Sequence, residues 1–99
     1  MSHEGYHEPI EKLSSATQDF HRAVVSLIEE LEAVDWYRQR ADDCEDAALK
    51  AVLLHNAREE IEHASMVLEW IRRNDGEFDG MLKEFLFSEG SITEQEKEL

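Results

Sequence analysis

The stretch Arg58–Met66, REEIEHASM, lies inside a long helical pattern and places Glu60 and His63 where that pattern calls for apolar residues. The line running through it is Leu49, Leu53, Asn56, Glu60, His63, Val67 and Trp70, in steps of three and four, the spacing of one helix face. Glu60 and His63 are three apart and project from one side of that helix. A helix that turns a carboxylate and an imidazole toward the face it buries must find something there to compensate them.

The surrounding chain sets the frame. Asp46 is a predicted N-cap for this helix, and Arg72 and Arg73 followed by Asn74 and Gly76 form its expected end. Upstream, Ile10, Leu13, Thr17, Phe20, Val24, Leu27, Leu31 and Val34 make a second seam with one polar exception, read as a single helix from Pro9 to about Arg40. Ala41–Asp46, ADDCED, is a short turn between the two. Phe78, Met81, Leu82, Phe85 and Leu86 predict a shorter third helix closed by Gly90. The fold class is therefore all-α: an antiparallel hairpin of two helices of about 30 residues, each about 45 Å long, plus a short C-terminal helix. Residues 1–8 read as a flexible lead-in, 9–90 as one helical domain and 91–99 as a polar, acidic tail in which Ser91 and Glu94 have capping-box spacing.

Composition narrows the function. With 99 residues the chain suits one small domain that is expected to gain from a partner subunit. A formal charge of −14 repels nucleic acid and anionic lipid and draws in cations. Cys44 is the only cysteine, so it has neither an internal disulfide partner nor a CxxC mate, and it reads as inert. No secretory signal and no membrane-length apolar run is visible, and a soluble protein of a reducing compartment is expected.

Helix 1 repeats the oddity. Ala23, Leu27, Glu30, Val34 and Tyr37 form a stripe beside the main seam, with Glu30 in its middle. The turn centres near Glu45, and Glu30 and Glu60 each lie fifteen residues from it, at one height of an antiparallel pair. Two buried carboxylates at one level repel, so either a cation sits there or the face is wet. Four-helix di-iron proteins use one Glu from each of two helices and a Glu-x-x-His pair from each of the other two. This chain carries half of that set, and two copies about a two-fold axis supply four carboxylates and two imidazoles. Such oxygen-rich ligation suits iron or manganese better than structural zinc. A Glu-x-x-His pair alone is a weak signal; its place in the seam, opposite Glu30, is what strengthens it.

Ser26–Arg40, SLIEELEAVDWYRQR, together with His55–Trp70, HNAREEIEHASMVLEW, resembles the encapsulated ferritin family across nearly the whole chain. The resemblance implies a half-ferritin subunit that dimerises into a ferritin-like four-helix bundle and assembles as a ring, commonly a decamer. It implies a di-iron ferroxidase centre at the dimer interface, housed with its iron store in an encapsulin compartment of a bacterial or archaeal cytoplasm. Glu30, Glu60 and His63 match the iron ligands, Tyr37 a tyrosine close to them, and Glu29, Glu32 and Trp36 a metal-uptake site that takes Ca or another divalent ion. The tail SITEQEKEL departs from the family pattern by lacking a Gly-Ser-Leu targeting core, so encapsulin is the expected partner where such a peptide lies beyond this chain.

Structurally, Glu29 and Glu32 are ordinary solvent-side glutamates, Trp36 is an interface anchor, and Tyr37 is placed to hydrogen-bond a ligand carboxylate. His55 reads as a supporting or surface histidine, Glu59 and Glu62 as a solvated face, and His3 and His7 as part of the lead-in. Two other classes of function fit the same residues: a non-catalytic divalent-metal carrier, and an acidic helical interaction module whose Glu and His are wet.

Overall fold

The computed structural model describes residues 5–96. Its architecture is a long helical hairpin, α1 (Ser15–Asp43) and α2 (Ala47–Asn74), followed by α3 (Gly76–Phe85). Single 3₁₀ turns at Ile10–Lys12 and Thr93–Gln95 flank the three helices. Among the described residues there is no strand, and no helix is long and apolar enough to cross a membrane. The all-α hairpin with a short third helix is the expected fold, and α1 and α2, at 29 and 28 residues, have close to the expected lengths.

The helix ends follow local chemistry. The Ser14 side chain accepts a hydrogen bond from the Thr17 backbone N–H at 3.1 Å and starts α1 there, so the single helix expected from Pro9 is broken at Leu13–Ser14. Ile10 belongs to a separate turn and is 47% exposed. The seam spacing crossed this break because a 3₁₀ turn also returns a side chain every three residues. Asp46 caps α2 as expected, accepting from the Leu49 N–H at 2.8 Å.

Gly76 does not stop α2; it opens α3. Asp75, in extended backbone, ends one helix and caps the next, accepting from the Phe78 N–H at 2.8 Å. The third helix closes at Phe85 rather than at Gly90. Phe87 then takes the left-handed conformation, φ 61°, with its ring fully in solvent, and Gly90 takes it at φ 81°.

Arg72 braces α3 against α2. Its guanidinium grips Glu69 with two hydrogen bonds, at 2.7 and 2.8 Å, and a third goes to Asp79 on α3. Lys83 reaches the other Asp79 oxygen at 3.0 Å. The hydrogen bonds from Arg72, and then from Arg73, hold the Glu69 carboxyl down at about 2. Phe78 lies against Phe20 with ring centroids 6.1 Å apart, which ties α3 to the base of α1.

The core is thin. Only Ala41, Ala57, Ala64 and Ile71 are fully buried among the described residues, and three of these form one line on α2 at seven-residue spacing. That line is rotated from the expected one: Leu49 and Trp70, counted in the seam, are 51% and 41% exposed, as is Leu31 on α1 at 55%. The radius of gyration is 17.4 Å, against about 13 Å for a compact chain of this length. An isolated hairpin of this shape cannot cover its own apolar surface. Of the lead-in, Tyr6 stacks on His21 with centroids 4.3 Å apart; His3 lies outside the described residues.

Ile71, 1% exposed, marks the side chain most dependent on the intramolecular core. Ile71→Ala is expected to cost about 2–4 kcal/mol in thermal or denaturant unfolding, and Asp46→Ala about 1 kcal/mol through its lost cap.

Candidate metal centre

Glu30, Glu60 and His63 meet halfway along the hairpin. Each presents one donor atom, and the three donors lie within 4.8 Å of one another. Helix register explains the meeting: α2 sets Glu60 and His63 one turn apart on one side, and the antiparallel return of α1 puts Glu30 at the same height. His63 Nδ1 lies 3.5 Å from Glu30 Oε2 and 3.7 Å from Glu60 Oε2. The two carboxylate side chains are about three-quarters covered, at 24% and 25% exposure, while the imidazole is 45% exposed.

The electrostatics are unresolved within the protomer. Glu30 Oε2 is buried and has no hydrogen-bond partner among the described residues. The facing Glu60 carboxyl, with which Glu30 can share a proton, lifts the Glu30 pKa most; burial adds to this, and His63 opposes it. A carboxylate held in this way is stabilised by a cation that replaces its lost water. The donor set, two hard oxygen donors and one imidazole, is one that could hold a divalent metal ion.

The other expected site residues lie elsewhere. Glu29 is exposed, Glu32 half-buried and Trp36 51% exposed, and their three- and four-residue spacing puts them together on a different side of α1 from Glu30. Tyr37 is half-buried two turns beyond Glu30, with the Arg40 guanidinium 5.5 Å from its ring centre. His55 pairs with Glu59 at 3.4 Å on the surface of α2, away from the three donors. Glu62 is exposed, as a solvated face requires.

A shallow apolar groove between α1 and α2 begins one turn from the cluster. Ala23 and Ser26 line one wall, and Met66, Val67 and Trp70 line the other. Met66 is 59% exposed in the protomer. This groove was not foreseen; its signal is that Met66 and Trp70, four apart, fall just outside the residues that α1 covers.

A helical hairpin that carries a carboxylate–histidine cluster at its middle is a ferritin-like arrangement. The comparisons agree. The EncFtn-like family profile matches residues 5–89. An encapsulated ferritin-like protein of Rhodospirillum rubrum is 56% identical over 87 residues, 88% of this chain and 62% of the relative. A ferritin-like protein of Thermotoga maritima is 48% identical over 93 residues, 94% of this chain and 82% of that protein. The crystal structure of protein ne0167 from Nitrosomonas europaea superposes with a TM-score of 0.85 at 58% identity, covering 89% of this chain and 97% of that one. The chain belongs to the encapsulated ferritin-like family, and it spans under two-thirds of the Rhodospirillum relative's length.

The raised Glu30 pKa carries a pH consequence. A carboxyl that is harder to ionise in the folded state favours folding while protonated, and that advantage is lost as pH rises through its folded pKa. Chelator-treated wild type is therefore expected to lose stability as pH rises above the usual carboxylate range. Glu30→Gln removes that loss, which appears as a shallower fall of unfolding temperature with pH.

Proposed function

We propose that this chain is a ferroxidase subunit whose substrate site is completed by a second copy. The observation that carries the reading is the meeting of Glu30, Glu60 and His63 halfway along the hairpin, with one Glu30 oxygen buried and without a hydrogen-bond partner among the described residues. Two copies about a two-fold axis bring four carboxylates and two neutral imidazoles to one place. Their charge of −4 balances two Fe(II) ions, which removes the repulsion that each half-site suffers alone. The apolar groove beside the cluster supports a mate on the same side, since Met66 and Trp70 gain cover there.

Each residue has a defined task. Glu30 and Glu60 bind Fe(II) through hard oxygens, which favour Fe(III) over Fe(II) and so lower the potential of the bound substrate. His63 supplies a neutral nitrogen donor. O₂ or peroxide accepts the electrons, and Fe(III) is the product. Tyr37 hydrogen-bonds a ligand carboxylate, and Glu29, Glu32 and Trp36 form a loose uptake site for hydrated divalent ions such as Ca. The Rhodospirillum relative is named as encapsulated, which supports an encapsulin shell as the container for the ferric product. A ring of dimers, commonly ten chains, is the assembly that the family implies.

Aerobic addition of Fe(II) tests the reading. Wild type is expected to oxidise many equivalents per subunit, whereas a carrier saturates and an interaction module takes up none. Glu30→Ala, Glu60→Ala or His63→Ala is expected to lower the initial rate at least tenfold with the helical content kept. Wild-type rates in all three variants overturn the assignment. Native mass spectrometry is expected to show larger species with Fe(II) than with chelator, because binding realised only in the dimer stabilises the dimer.

A further inference from the structure

We infer that Ala57 and Ala64 are positioning residues that set the spacing of the metal centre and thereby select small divalent ions; this rests on the ferroxidase reading. Ala57 precedes Glu60 by three residues and Ala64 follows it by four, so the two bracket the cluster on one side of α2. They are 2% and 7% exposed, two of the four fully buried residues among those described, and the burial falls at the level of the cluster. A buried side chain of one methyl group at mid-helix sets no bulk between the walls and so permits the facing helix to come close. The donors respond to that approach: Glu30 crosses from α1, and its Oε2 stands 3.5 Å from His63 Nδ1 on α2.

The magnitudes favour a sensitive device. Helix axes pack about 8–10 Å apart according to the side chains between them. Replacing a spacer methyl with a branched side chain moves the walls by about 1 Å within that range, whereas a metal site tolerates about 0.2 Å in its bond lengths. Ions with bonds of about 2.0–2.2 Å then lose a ligand from one wall, while Ca²⁺, with flexible bonds of about 2.3–2.6 Å, loses less. The cluster's selectivity is therefore written partly in residues that touch no ion.

The test is a graded series at both positions, Gly, Ser, Val and Leu, on the full chain, with helical content and oligomeric state measured for each variant. Co(II), followed by its visible absorption, is the small probe, and Ca(II), followed by calorimetry, is the large one. Ala64→Val and Ala57→Val are expected to weaken Co(II) at least tenfold and Ca(II) no more than threefold. Ala64→Ser and Ala57→Ser keep wild-type affinity, and Ala48→Val on the exposed start of α2 leaves both unchanged. Co(II) affinity that stays flat across the folded members overturns the inference, as does an equal loss for both ions. If the Val and Leu variants do not fold, the Gly variants decide: altered selectivity supports the spacer role and unchanged selectivity overturns it. Failure of wild type to bind Co(II), or binding that survives His63→Ala, instead overturns the metal-centre assignment itself.

Discussion

The Glu30 carboxylate governs much of this molecule. One of its oxygens is buried without a hydrogen-bond partner among the described residues while Glu60 faces it, and such an arrangement is unfavourable in a protomer left to itself. His63 gives partial relief at 3.5 Å, too long for a strong hydrogen bond. A helix pair with an apolar residue at position 30 would be more stable alone. Placing acid there makes sense where the stability of the protomer is subordinate to that of something larger.

The thin core points the same way. With four buried residues among those described, three of them alanines, the hairpin has a small core of its own. Its exposed apolar side chains fall on both flanks: Met66 and Trp70 beside the cluster, Leu54 and Ile61 on the opposite side of α2. The proposed mate on the cluster side covers only the first of these flanks. The proposed two-fold pairing and the proposed metal chemistry are thus one requirement seen twice: apolar cover and charge balance are both missing from the same face.

Much of this could be read from spacing. Asp46 as a cap, the hairpin and the convergence of Glu30 with Glu60 and His63 follow from helix period and from equal distance to the turn. The errors have physical reasons. Ser14 caps α1 inside what looked like continuous seam, because 3₁₀ and α spacing agree over one turn. Gly76 looked like a stop because glycine commonly ends helices, but Asp75 performs that task in extended backbone and frees Gly76 to start α3. The true burial line, Ala57, Ala64 and Ile71, escaped notice because hydrophobic pattern weights large side chains, whereas close helix contact selects small ones. Nothing in periodicity could locate the Arg72–Asp79 pairing, which depends on the angle at which α3 leaves the hairpin.

That corner has a mechanical consequence. Asp75 is shared by two helices, and Arg72 ties the far side of the joint to Asp79. With no linker between them beyond that shared cap, the angle at which α3 leaves α2 is set by Asp75, braced by Arg72 on one side and held by the Phe20–Phe78 contact on the other.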